Sequence, residues 1–345
     1  MTPAHHWLDS PCSAAVSRGR AEALLDLVDA EIPVAFYGAP LTGNALSMGA
    51  YQHAQLALQS GATVPVVRRS SGGNTVYAGE GVFHFAVALD DASALMDCPP
   101  GRILNRNVRG VLQGLRSCGV AAHYFGRDYV SVISRPGAYI AWDQREDGRV
   151  LFEAFVSNSA SFHPDAQHIA YPARVNDPYR GHLPVTLQEA AKRSVPSEEL
   201  FECLLRGHAS VYQVDSKPLS ADDVAACVAR GVARMTEPEP TVAEALVWSA
   251  AYEEAIGFVY AGVAVNADHT LRHVRVGGDY FQNRLGQQAL EQGLVGGAID
   301  GTSIGRAIND VYADTRHVIE GIRQMDSLRA VVLSAVERGE PLRIS

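Results

Sequence analysis

The run Val67-Arg68-Arg69-Ser70-Ser71-Gly72-Gly73-Asn74-Thr75-Val76-Tyr77 concentrates residue types that bind anions. Arginine presents fixed, forked donors matched to carboxylate or phosphate. Glycine lets backbone approach a ligand closely, and bare N–H groups in such a turn cradle negative charge. A strand that ends in Arg68-Arg69 and a Gly-Gly turn therefore suits a ligand with an acid group, such as an acyl-adenylate. The same residues also fit a Gly-Asn hairpin turn flanked by solvated arginines, and spacing alone leaves both readings open. Glu153, in Leu151-Phe152-Glu153-Ala154-Phe155-Val156, is a second candidate. A lone carboxylate between two aromatics of a strand faces either solvent or a pocket. Inside a pocket it would be an acid of raised pKa and a catalytic candidate. Among twelve histidines, His163 and His168 flank Asp165 at a spacing that matches no ligand pattern, so no metal site is expected. His5-His6 falls at a terminus where fraying is expected.

These residues sit in a chain of 345 residues, long enough for two domains. With 47% hydrophobic and 19% charged residues, it has ample apolar surface to bury. A net charge of −9 argues against a nucleic-acid partner, since a phosphate backbone favours a basic surface. Cys12, Cys98, Cys118, Cys203 and Cys227 are scattered without a CxxC pair, which predicts reduced thiols in a cytoplasmic protein. Cys118, at a helix end, reads as a small core residue. The N-terminus lacks a secretory pattern, and no run of about 18 apolar residues predicts a membrane span.

Helical spacing predicts helices over 14–29, 54–59, 103–118, 196–207, 220–235, 243–257, 280–293 and 304–325. Short apolar runs predict strands at 34–37, 45–48, 64–67, 83–89, 130–133, 138–142, 150–156, 258–266 and 271–276. Residues 157–184 read as a long irregular segment. Thr236-Glu237-Pro238-Glu239-Pro240 cannot continue a helix, which puts a linker there between domains 1–238 and 241–345.

The Arg-Arg-Ser-Ser-Gly-Gly-Asn-Thr-Val run resembles the Arg-Arg-x-Ser/Thr-Gly-Gly-Gly-x-Val run of the lipoate–protein ligase family, with Asn74 in place of the third glycine. Leu46-Ser47-Met48-Gly49-Ala50-Tyr51-Gln52 resembles the family's strand and Gly-x-x-Gln segment, and Gly119 to Val132 its Gly-Arg-Asn-Asp stretch. Val276-Gly277-Gly278-Asp279-Tyr280-Phe281 and Ala289 to Gly296 resemble the accessory domain of the longer ligases. The five segments occur in the family's order over roughly residues 15–325.

The resemblance implies an α+β fold: a catalytic domain on a mixed β-sheet of the biotin/lipoate ligase type, then a small C-terminal α/β accessory domain. It implies ATP and Mg as cofactors, a small carboxylate as ligand, and a lipoyl-type carrier domain as a partner. Carried over, Arg68, Arg69, Ser71, Gly72, Gly73 and Asn74 would line the acyl-adenylate site, with Gln52 at its edge and Asp128 near the phosphate or metal. The chain departs from the pattern where the family has its essential lysine, in Gly-x-Lys-x-x-Gly-Ser-Ala. Ser134 to Ala141 stands there, or Asp147 to Val150 in a second register, and the chain's lysines are Lys192 and Lys217. Arg135 is the nearest substitute by register. Ala78-Gly79 replaces the family's His-Asp pair, and no cysteine falls where octanoyltransferase relatives carry a nucleophile. Three functions are therefore open. The first is ATP-dependent activation of a carboxylate followed by acyl transfer. The second is ATP-independent acyl transfer or amide formation on a small acceptor. The third is non-catalytic binding of an acyl compound, a nucleotide or a carrier.

Overall fold

The computed structural model describes residues 1–61, 63–170, 183–235 and 245–338. One mixed sheet dominates the first part. Its strands run in the order Val214–Pro218, Thr2–Leu8, Val34–Thr42, Val82–Leu89, Val150–Ser157, Arg135–Gln144, Tyr129–Val132 and Ala122–His123. The first three are parallel and the remainder antiparallel. The N-terminus is thus not frayed. His5 and His6 pair on both sides within the sheet, a role that the mixed polarity of Thr2–Leu8 conceals.

The two sheet faces differ in residue size. One presents Phe36, Phe83, Phe85, Val87 and Phe152 to the Ile103–Ser117 and Ser197–Tyr212 helices. The other presents Ala35, Ala39, Ala86 and Ala88, and these small residues let the Ala14–Ala23 helix settle close. Each face is covered by a helix pair in near backbone contact. A Cβ on Gly207 would fall 2.3 Å from the Gly114 nitrogen, and one on Gly19 would fall 2.4 Å from the Gly231 oxygen. Alanine at either place would force the helices apart.

A small three-stranded sheet, Val66–Arg68, Leu46–Met48 and Val76–Tyr77, carries the Arg-Arg run. Beyond residue 245, Phe258–Val265 pairs with Leu271–Gly278, Val247–Trp248 and Tyr252–Glu253, and helices Arg284–Leu294, Gly301–Ala313 and Asp326–Arg338 pack nearby. The C-terminal strands and helices of the expected α+β fold are therefore present. Two expected helices are corrected here. Val247–Trp248 and Tyr252–Glu253 form short strands where a helix is expected. The span 304–325 breaks after Ala313 into an extended pair, Ile319–Glu320 against Phe281–Gln282. In both segments strand pairing outweighs local helix propensity: Val247–Trp248 and Tyr252–Glu253 pair with Phe258–Val265, and Ile319–Glu320 with Phe281–Gln282. The linker expected at 236–240 lies outside the described residues. Ile256, Phe281 and Val318 pack into the hydrophobic cluster of the main sheet, while Val259 to Ala335 build a second cluster of their own.

Candidate functional site

Residues 69–75 leave the small sheet and cross over the Arg135–Gln144 strand. Gly73 has φ +88, and a Cβ there would lie 2.0 Å from the Tyr139 hydroxyl and 2.6 Å from the Phe281 ring. Close approach does require glycine, as the sequence implies, but the neighbours are the protein's own groups. The Gly73 N–H donates to the Tyr280 carbonyl at 3.0 Å and the Gly72 N–H to the Trp142 carbonyl at 3.3 Å.

Both arginines serve the turn from within. Arg69 is 2% exposed. Its Nη1 donates to the Ser47 carbonyl at 2.7 Å, and its Nη2 to the carbonyls of Gly72 and Asn74 and to the Tyr139 hydroxyl. The guanidinium carbon stands 5.2 Å from the Tyr139 ring centroid. Arg68 donates to the carbonyls of Gly49, Ala50 and Gln52. Arginine's planar fork suits several fixed acceptors at once, and here the acceptors are main-chain oxygens. Asn74 donates to Asp128 Oδ2 at 2.5 Å and to the Ile256 carbonyl at 2.7 Å. Gln52 accepts from the Gly49 N–H and the Thr75 hydroxyl and donates to Asp279 at 2.7 Å. Gln52, Arg68, Arg69, Ser71, Gly72, Gly73, Asn74 and Asp128 therefore gather at one turn, pressed against residues 256–281.

Arg135 does not join them. It opens its strand, and its guanidinium donates to the carbonyls of Leu183 and Pro184. Lys192 ends the Leu187–Ala191 helix, and Lys217 lies on the edge strand at the opposite side of the sheet. No lysine stands at the turn.

Glu153 points inward and is 1% exposed. Ser71 donates its hydroxyl to Glu153 Oε2, Glu153 Oε1 lies 3.1 Å from His84 Nε2, and His84 Nδ1 lies 2.8 Å from Ser17 Oγ. Strand register sets this up: Phe155 opposes His84 and Glu153 opposes Ala86, so His84 and Glu153 are diagonal neighbours on one face. Burial pushes the Glu153 carboxyl up. The His84 ring, the Ser71 hydroxyl and the Arg69 charge outweigh that and hold it below its ordinary value. The expected raised pKa is thus corrected. Glu153 is a buried anion rather than a buried acid.

Sequence reasoning passed over His84 and Ser17, although a single histidine in Val-Phe-His-Phe-Ala-Val-Ala-Leu was visible as a polar residue in a buried run. It also passed over Asp143. This carboxylate is 1% exposed, pairs with Arg284 Nη2 at 3.1 Å, and leaves Oδ1 without a hydrogen bond. Burial, only partly offset by Arg284, pushes its carboxyl up to about 6. Beside it, Trp142 donates its indole N–H to Glu320 at 2.8 Å. In this arrangement the Gly72 and Gly73 N–H groups and the Arg69 Nη groups are bonded to oxygens of the protein itself. Among the described residues no group of three or more His, Cys, Asp or Glu is placed to hold a metal ion. No helix among them is long and apolar enough to cross a membrane.

This large mixed sheet covered by helices, with further strands and helices after residue 245, has the fold of solved lipoate–protein ligases. The solved structures agree. P. falciparum LipL1 in complex with lipoate superposes with a TM-score of 0.66 over 96% of this chain and 99% of that one, at 11% identity. Lipoate-protein ligase A bound with ATP gives 0.54 over 68% of this chain and 97% of that one, at 14% identity. A bipartite lipoate protein ligase from Thermoplasma acidophilum, described with its E2 lipoyl domain, gives 0.51 over 69% and 96%, at 17% identity. No family model and no curated protein matches the sequence.

Proposed function

We propose that this chain is an acyl-binding protein built on the lipoate-ligase fold, and that ATP-dependent activation of a carboxylate is not its reaction. One observation carries the reading: the donors at the Arg-Arg-Gly-Gly turn are bonded to the protein itself. Gly72 and Gly73 give their N–H groups to Trp142 and Tyr280, and Arg69 gives its Nη groups to three carbonyls and a phenol. The absence of lysine beside the turn supports it. A positive donor aimed at charge that builds in the transition state is commonly worth 10²–10³ in rate. Arg135, turned toward Leu183 and Pro184, supplies none there. The acyl class follows from the likeness to lipoate ligases, and a lipoyl-type carrier domain is the partner that likeness suggests.

A second reading is ATP-dependent acyl ligation, favoured by one feature of the same contacts. Gly73, Asn74 and Gln52 are held by Tyr280, Ile256 and Asp279, all from residues beyond 245. Withdrawal of that segment would free the Gly73 N–H and release one bond each of Asn74 and Gln52. Pyrophosphate release from ATP and Mg²⁺ in the presence of lipoate or octanoate separates the readings. The first predicts none above background, together with measurable binding of an acyl compound. Acid-dependent release would select the second.

A further inference from the structure

Segments from both parts of the molecule leave a cavity of about 340 Å³ between them. Residues 92–103 lead into the Ile103–Ser117 helix, and residues 144–148 turn from the Arg135–Gln144 strand to Val150–Ser157. Asn283, Leu285 and Val318 close the cavity from beyond residue 245. Its volume lies at the small end of ligand pockets, which span ~300–1,000 Å³ and favour joints between structural units. A ligand can reach it. Pro99, Pro100, Thr315 and Arg316 at its rim are exposed, while Ile103, Asn283 and Val318 at its floor are buried.

The interior is apolar and neutral. Ala92, Ile103, Leu285 and Val318 supply carbon surface. Burial pushes the Cys98 thiol up to about 11, so it stays protonated at neutral pH and extends the apolar wall. The amide groups are engaged. Asn283 donates to the Gln144 side-chain oxygen and the Arg316 carbonyl and accepts from the Gly286 and Val318 N–H groups, and Gln144 donates to the Gly148 carbonyl. The three charged residues of the wall are bonded as well. Arg145 pairs with Asp26 at 2.9 Å and lies 3.6 Å from Asp147, Arg316 pairs with Asp314 at 2.6 Å, and Glu146 accepts from Gln288 at 3.1 Å. A charged head group taken inside would lose water to meet partners already bonded elsewhere, whereas a methylene gains by leaving water.

We propose that this cavity binds the alkyl chain of an acyl compound, with the chain inward and the polar head at the exposed rim. The proposal rests on the acyl-binding reading and gives it a place, away from the bonded donors of the Arg-Arg-Gly-Gly turn. The chain lies between Cys98 and Ile103 on the sheet side and Leu285 and Val318 on the other, so the site exists only where the two parts meet. Chain length therefore sets affinity, and the head group matters little.

The test is calorimetric titration of the full chain at pH 7.5 with octanoate, octanamide and butanamide. The two eight-carbon compounds should bind within about fivefold of each other, and butanamide, four methylenes shorter, at least about tenfold more weakly. Ala92→Trp and Leu285→Trp, each at a half-buried wall position, should fill the cavity and weaken octanamide binding at least about tenfold, with thermal melting to check the fold. Iodoacetamide labelling of the wild type at pH 8.5 gives a second readout that needs no variant. Octanamide near saturation should slow the labelling of Cys98 and leave that of Cys12, the other half-buried thiol, unchanged. The proposal falls, and acyl binding stands, if butanamide binds as tightly as octanamide or the two head groups differ by more than that margin. Unchanged octanamide affinity in a folded tryptophan variant, or Cys98 labelled equally fast with and without octanamide, has the same consequence. No binding of any of the three compounds would overturn both the proposal and the acyl-binding reading.

Discussion

At the scale of single residues, the turn shows how an anion-site pattern can be satisfied internally. Arg69 has the burial of a core residue and supports four oxygens, so its removal should act on stability before it acts on any ligand. A buried acceptor left unpaired costs ~1–3 kcal/mol, so Arg69→Ala should lose at least about 3 kcal/mol in urea denaturation. Unchanged stability would mean that the fork is free to serve a ligand. Asp143 predicts a pH effect. Burial pushes its carboxyl up to about 6, above the ordinary carboxylate range, so the folded state binds its proton more tightly. That contribution to stability is complete below about 4 and is lost as pH rises through about 6. Asp143→Asn should therefore be more stable than wild type at pH 8, less the Arg284 pairing it forfeits, and the advantage should fade toward pH 4 in parallel melting curves. Residue types mark Arg68 to Asn74 as a glycine-containing turn with a ligand or solvent around its arginines. They do not reveal that the protein's own oxygens fill it, because Trp142 and Tyr280 arrive from elsewhere in the chain.

At the scale of elements, periodicity revealed what is locally encoded. The Ile103–Ser117 helix and the Val82–Leu89 and Val150–Ser157 strands carry their pattern in their own residues and fall where the sequence puts them. Thr2–Leu8 and Val214–Pro218 do not, since polar residues in both are tolerated by parallel pairing with each other. The two helix pairs depend on glycine, which no periodicity reveals. Gly207→Ala should lower the melting temperature markedly, at a cost of about 1–3 kcal/mol, because its methyl meets Gly114 and Gly110 backbone rather than a yielding side chain. A melting temperature equal to wild type would show that the Ile103–Ser117 and Ser197–Tyr212 helices have room to separate.

Across the whole molecule, the sheet and residues 245–338 meet through packed rings, hydrogen bonds and an ion pair. Phe281 sits against Gly73 and Trp142, Gln52 reaches Asp279, Tyr51 donates to the Gln282 carbonyl, and Asp143 pairs with Arg284. Protease cleavage between 236 and 240 should leave two fragments that co-elute on gel filtration, and Phe281→Ala should let them part. Separate elution without that change would make them independent domains. The central claim is that the Arg-Arg-Gly-Gly turn is a joint, with its donors bonded to the chain and no lysine beside it. The most direct measurement is the intact mass of a lipoyl carrier domain incubated with this protein, lipoate, ATP and Mg²⁺. The account predicts an unchanged mass at every time point. A carrier that gains one lipoyl group in proportion to the protein added would contradict it.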